Sequence, residues 1–117
     1  MIDHFNLPVS DMAASRVFYD AVLGTLGVSV LIEEDGALGY GAERWAFGLV
    51  ADPVGAALHV GFRAQDKAAV DAFYRAGLSA GGRCNGAPGE RAQYGAGYYA
   101  CYLRDPDGHN VEAVFRG

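Results

Sequence analysis

Residues 1–24 laid over residues 56–79 without a gap agree at eight positions, and this duplication limits the possible fold more than any other feature. The matches are His4/His59, Asp11/Asp66, Ala13/Ala68, Ala14/Ala69, Phe18/Phe73, Tyr19/Tyr74, Ala21/Ala76 and Leu23/Leu78. Chance supplies roughly two in an ungapped window of this length. At 117 residues the chain is too short for two independent cores. The copies are therefore expected to pack as one domain, 1–117, with module one at about 1–52 and module two at about 56–117.

Each copy reads as a strand followed by a helix. Asp3–Leu7 and Leu58–Phe62 alternate apolar and polar residues, the pattern of a half-buried strand. Ser10 and Asp66 are expected to cap the helices, which carry Ala14, Phe18 and Ala21 or Ala69, Phe73 and Ala76 at helical spacing. Glycine-separated strand runs follow: Val28–Glu33, Ala37–Gly41 and Trp45–Val50, then Gly82–Asn85, Gly97–Arg104 and His109–Phe115. Asp105-Pro106-Asp107-Gly108 is a turn signal, after which His109 reads as an exposed turn residue. The expected class is α+β, two tandem βαβββ modules forming a curved, half-open mixed sheet. Such a sheet leaves edges and an open cup, which predicts a homodimer.

Charge and composition exclude several roles. The net charge is −5, and one lysine with eight scattered arginines makes no basic run for nucleic acid or anionic lipid. No apolar stretch approaches the ~18 residues of a membrane span, and the N-terminus lacks the pattern of an export signal. Cys84 and Cys101 are expected to be reduced core thiols. A cytoplasmic protein is expected, with no membrane and no nucleic-acid partner.

His4 and His59 hold equivalent positions, on the strand face opposite the apolar residues. In the last strand Glu112 is the one acid in an apolar run, where an isolated carboxylate would be costly to bury without a cation or hydrogen-bond partner. Two imidazoles and a carboxylate suit zinc, iron(II), manganese or nickel and leave coordination positions open. Aligning Gly41–Arg44 with Asp105–Gly108 puts Gly48 opposite Glu112 in the repeat, so a fourth, symmetric carboxylate is missing.

The segments Ile2–Asp11 with Phe18-Tyr19, Leu58-His59-Val60, and Asp105–Glu112 resemble the glyoxalase/bleomycin-resistance/extradiol-dioxygenase superfamily, over essentially the whole chain. The resemblance implies a paired βαβββ fold, usually dimeric, cupping a divalent metal that chelates neighbouring substrate oxygens. Metal ligands carry over to His4, His59 and Glu112, with Glu112 also the candidate catalytic base. Gly48 stands where glyoxalase I has a metal-binding glutamate, which argues against ordinary glyoxalase I chemistry. The implied function is a metal-dependent lyase, isomerase or dioxygenase acting on a small oxygen-rich substrate. The alternative is a non-catalytic, bleomycin-resistance-like binder of a drug or metabolite.

Further pocket residues depend on strand register. A four-residue turn at 105–108 pairs Cys101 with Glu112 and puts Tyr99 on its face, whereas a bulge substitutes Tyr98 and Tyr102. Gly48 would leave room for substrate. The glycine-rich stretch Asn85–Gly95 is expected to form a loop or lid, with Arg91 a candidate contact for an anion.

Overall fold

The computed structural model describes all 117 residues. Module one contains β1 (Phe5–Val9), α1 (Met12–Gly24), β2 (Ser29–Glu34), β3 (Ala37–Gly41) and β4 (Trp45–Ala51). Module two repeats the order with β5 (His59–Arg63), α2 (Lys67–Ser79), β6 (Arg83–Glu90), β7 (Tyr98–Arg104) and β8 (Asn110–Arg116). The expected βαβββ repeat is therefore present twice. Each module forms its own four-stranded mixed sheet, in the orders β1-β4-β3-β2 and β5-β8-β7-β6. The outer strands β1 and β5 pair in parallel with β4 and β8, and the remaining neighbours are antiparallel.

Both helices begin at an aspartate. The Asp11 carboxylate accepts from the Ala14 amide and that of Asp66 from the Ala69 amide, satisfying amides that the first helical turn leaves free. Ser10, the expected first cap, instead donates its amide and hydroxyl to Asp107. Phe18 and Phe73 are fully buried, as their spacing predicts, but the buried stripe of α1 also takes in Ser15, Tyr19, Val22 and Leu23. One apolar core joins residues of both modules, including Leu7, Phe18 and Leu49 with Phe73, Leu103 and Val111.

The helices pack on each other at a position where the repeat is not symmetric. Val22 and Gly77 are equivalent positions, and a Cβ at Gly77 would lie 3.0 Å from Val22 Cγ1 and collide with Leu103. A large residue on one helix therefore needs the glycine on the other.

The Asp105–His109 turn fastens module two to module one. Asp105, almost fully buried, accepts from the Tyr19 hydroxyl at 2.6 Å and from the amides of Asp107 and His109 at 2.9 Å. His109 is also fully buried, contrary to its expected exposure. Its Nε2 donates to the Pro8 carbonyl at 3.0 Å and its Nδ1 accepts from the Leu58 amide at 2.9 Å. The ring bridges the two first strands of the repeat, and both its nitrogens are satisfied.

Two further expectations need correction. Residues 85–95 are not one loop: β6 continues to Glu90, with register shifts about Gly86 and Gly89, and a short 3-10 turn at Ala92–Tyr94 follows. Glycine tolerates these irregularities while the strand keeps pairing. Both cysteines are free, but only Cys101 is buried; Cys84 is exposed on β6. No helix is long and apolar enough to cross a membrane.

Candidate functional site

Strand parity sends the polar residues of each sheet to the face away from the helices. In module two, β5 and β8 align His59 with Asn110 and Gly61 with Glu112. Opposite them β7 pairs Tyr102 with Glu112, because the connection comprises residues 105–109 and Arg104 pairs with Asn110. Asp105 brackets this five-residue turn, its own amide bonding the His109 carbonyl and its carboxylate the His109 amide. The one-residue change reverses the face of every β7 side chain relative to the four-residue alternative.

Tyr98 and Tyr102 consequently share the face of Glu112, while Tyr99 and Cys101 turn toward α2. The Tyr99 hydroxyl donates to Asp71 at 2.7 Å, and Cys101 Sγ lies 3.5 Å from the Val70 carbonyl. Burial pushes the Cys101 thiol up to about 12. Neither residue reaches the cup, and both leave the candidate site.

Glu112 is buried, 4% exposed, although its carboxylate has close partners. Its Oε2 accepts from the Tyr98 hydroxyl and its Oε1 lies 3.1 Å from His59 Nε2. Burial and this hydrogen bond raise the Tyr98 phenol well above the ordinary tyrosine range. His59 Nδ1 faces the Asn110 carbonyl at 3.0 Å, and because a carbonyl carries no hydrogen, Nδ1 must be the donor. In a neutral ring Nε2 then points a lone pair at a carboxylate oxygen. Two acceptors this close need a cation between them, either a proton on the ring or a metal ion. Metal bonds of ~2.05 Å at a tetrahedral angle hold ligand atoms ~3.3 Å apart, close to the separation seen. The Nδ1–H···O=C bond is also the usual way a ligating imidazole is oriented. These residues thus fit a divalent cation.

The cup beside this pair has a volume of about 350 Å³ and is lined by His59, Tyr94, Tyr98, Tyr102, Asn110 and Glu112. Arg91 lies at its edge, with its guanidinium 5.3 Å from the centre of the Tyr102 ring and Nη2 donating to the Ala87 carbonyl at 2.7 Å.

His4 immediately precedes β1 of the other sheet. Its Nδ1 bonds Asp3 at 3.0 Å, and its ring lies 4.8 Å from that of Trp45. The hydrogen bond to His4, reinforced by Arg44, holds the Asp3 carboxyl below its usual range. Asp3 thus occupies Nδ1 of His4 as the Asn110 carbonyl occupies Nδ1 of His59. Gly48 lies opposite Asn6 in the β1–β4 pair, the counterpart of Glu112 opposite Gly61. No three His, Cys, Asp or Glu side chains of one chain come together as a metal-binding group. The chain therefore does not gather His4, His59 and Glu112 into one group as the pseudo-twofold axis led us to expect, and the modules pack on each other chiefly through α1 and α2.

A paired βαβββ scaffold with a histidine-carboxylate cup defines a class of small-molecule-binding and catalytic proteins. The family model of the Glyoxalase/Bleomycin resistance protein/Dioxygenase superfamily matches residues 1–113, and the chain belongs to that superfamily. A solved glyoxalase/bleomycin resistance protein from Albidiferax ferrireducens T118 is 34% identical, with 97% of both chains covered and a TM-score of 0.83. A glyoxalase/bleomycin resistance protein/dioxygenase family enzyme from Burkholderia phytofirmans PsJN is 21% identical, covering 99% of this chain and 98% of its own, with a TM-score of 0.78. The structure of a lactoylglutathione lyase from Agrobacterium tumefaciens is 22% identical, covering 98% and 92%, with a TM-score of 0.73. The last two likenesses concern the fold alone. No curated protein sequence matches the chain significantly.

Tyr98 and Tyr102, kept only as alternatives in the sequence, line the cup with Glu112, and Asn6 and Trp45 share a separate cleft of module one that sequence reasoning missed. For Asn6 a signal existed: the repeat aligns it with Gly61, beside the position of the carboxylate.

Proposed function

We propose that the protein is a metal-dependent enzyme, a lyase, isomerase or dioxygenase-type catalyst acting on a small oxygen-rich substrate. The observation that carries this reading is the His59 Nε2 facing the buried Glu112 carboxylate at 3.1 Å, with Nδ1 fixed by the Asn110 carbonyl. His59 and Glu112 of one chain, with His4 of a second copy, would hold zinc, iron(II), manganese or nickel. Bound there, the cation would act as a Lewis acid toward a substrate oxygen.

The chain's own groups do the rest. Glu112 is the candidate base, and Tyr98 keeps a proton at its Oε2, poised beside the substrate space. Tyr94 and Tyr102 wall that space and limit water. The modules, about 1–52 and 56–117, act as one domain. A homodimer in the cytoplasm would set module one of each copy against module two of the other. Support for this arrangement comes from β1 and β5, which end their sheets with one edge free, and from the exposure of both histidines on the open faces. A symmetric pair closes two such cups at once.

The tyrosine-lined cup favours one other reading, a non-catalytic binder of an aromatic or cationic drug. Metal titration of apoprotein distinguishes the two. The enzyme reading expects one divalent ion per chain in a dimer, and loss of binding in folded His4→Ala and His59→Ala. Metal affinity equal to the parent's in either variant would show the coordination to be wrong. Drug binding indifferent to a chelator would favour the binder.

A further inference from the structure

The cup of module two gathers positive charge that is scattered along the sequence. Paired residues on neighbouring strands share a face, and alternate residues along a strand return to it. Tyr102 and Arg104 of β7 therefore stand on the face of Glu112, with Arg83 of β6 opposite Arg104 and Arg116 of β8 opposite Tyr98. Arg91 joins them from the segment after β6. Gly86 pairs with Tyr102, and a Cβ built at Gly86 would meet both the Tyr102 ring and Arg91 Nη2, the latter at 3.3 Å. A Cβ at Gly89 would lie 3.0 Å from Arg91 Nη1. The two glycines thus leave the space that the guanidinium fills on the cup face, 5.3 Å from the centre of the Tyr102 ring. The Ala87 carbonyl accepts from Nη2 at 2.7 Å and fixes its orientation.

Half of the chain's arginines lie on this one face, although the net charge is −5. None of them is in a salt bridge; the ion pairs of the protein use Arg16, Arg44, Lys67 and the histidines. Glu112 is the one acid that shares the face, and its oxygens are engaged by Tyr98 and His59. Glu90, the other acid of these strands, pairs with Tyr99 on the opposite face and bonds Lys67 at 2.9 Å. The cleft of module one has no cation in its lining, which includes Asn6, Ile32, Glu34 and Trp45. Unpaired cations around a concave surface raise the local concentration of anions. A guanidinium held in place also presents a fork of donors matched to a carboxylate.

We propose that the cup of module two binds an aromatic carboxylate, with Arg91 donating to its oxygens and the tyrosines packing on its ring. This names a substrate class for the cup described above and rests on that cup being the binding site, with no part given to a metal. Arg83, Arg104 and Arg116 stand at strand ends and contribute field rather than contact.

The test titrates benzoate, and its neutral isostere benzamide, into the metal-free full-length protein and follows NMR chemical shifts. The parent should bind benzoate about tenfold more tightly than benzamide, with shifts centred on Arg91, Tyr98 and Tyr102. Arg91→Ala should lose about tenfold in benzoate affinity and stay within about twofold for benzamide. Arg75→Ala removes the same charge from an exposed position of α2 and should change neither. Arg91→Gln keeps a donor for Ala87, and takes the place of the alanine variant if circular dichroism shows that one unfolded. Benzoate affinity equal to the parent's in a folded Arg91 variant, or a parent without preference for benzoate, would overturn the proposal; the metal-site reading has its own titration. Binding of neither probe, or shifts confined to surfaces away from the cup, would overturn both the proposal and the choice of this cup as the binding site.

Discussion

Replacing Asp105 by alanine tests whether the turn between β7 and β8 holds the modules together. The carboxylate is 1% exposed and serves three donors: the Tyr19 hydroxyl at 2.6 Å and the amides of Asp107 and His109 at 2.9 Å. Hydrogen bonds to a charged group contribute ~1.5–3 kcal/mol each, and a buried donor left unpaired costs ~1–3 kcal/mol. Tyr19 and His109 are fully buried, so water cannot replace their partner, whereas the Asp107 amide is nearer the surface. Asp105→Ala should therefore cost about 3–5 kcal/mol, much of the stability of a domain this size. At ~4 °C per kcal/mol, Tm falls by ~12–20 °C. Tyr19→Phe removes one bond and leaves Asp105 its two amides, so it should cost ~1.5–3 kcal/mol. Thermal and urea unfolding of both single variants and the double variant measures the coupling, expected at ~1–3 kcal/mol. A cost for Asp105→Ala within ~0.5 kcal/mol of zero, or strictly additive single effects, would refute the role assigned to the clasp.

Three other outcomes follow from the same geometry. Cys84 is exposed and hydrogen bonding from Tyr74 lowers its thiol below the ordinary range, while Cys101 is buried and raised to about 12. A thiol reagent at neutral pH should modify one cysteine per native chain, and rapid modification of both would contradict the burial. Burial raises Tyr19 and Tyr40 above their ordinary 10.0 and Cys101 above its 9.0, so their stabilising share is full below about pH 9. As pH rises past those unfolded-state values, the unfolded chain releases protons that the native state retains, and stability falls; urea midpoints unchanged between pH 8 and pH 11 would be the contrary result. Asn6→Gly with Gly48→Glu copies the Gly61–Glu112 pair into module one. It should tighten Co²⁺ at least ~tenfold, ~1.4 kcal/mol, and more than Gly48→Glu alone, whose new Cβ meets the Asn6 amide. Equal affinity in both folded variants would show that Asn6 does not obstruct the position.

Local chemistry made most of the fold and half of the site legible in the sequence. The repeat gives each copy its strand, helix and three further strands, since alternation, helical spacing and glycine breaks act over a few residues. Parity alone placed His4, His59, Glu112 and Gly48 on the faces away from the helices; the registers pair Gly48 with Asn6 and Glu112 with Gly61, while His4 lies just before β1. Register at the last hairpin was beyond local reading. Whether Asp105–His109 turns in four residues or five depends on the buried Asp105 carboxylate and on Tyr19, which is distant in sequence. That single residue decides whether Tyr99 and Cys101 or Tyr98 and Tyr102 meet Glu112. The cap at Asp11 was obscured by Ser10, whose hydroxyl has the right chemistry but is taken by Asp107 in the other module. His109 looked like a turn residue because nothing nearby in sequence reveals Pro8 and Leu58 as its partners. The separation of His4 from His59 was the least legible, because pseudo-symmetry specifies equivalent places without saying which faces meet. Tertiary packing decided that: Phe18, Val22 and Phe73 belong to one core in which the two helices pack on each other, and each sheet presents only part of a ligand set.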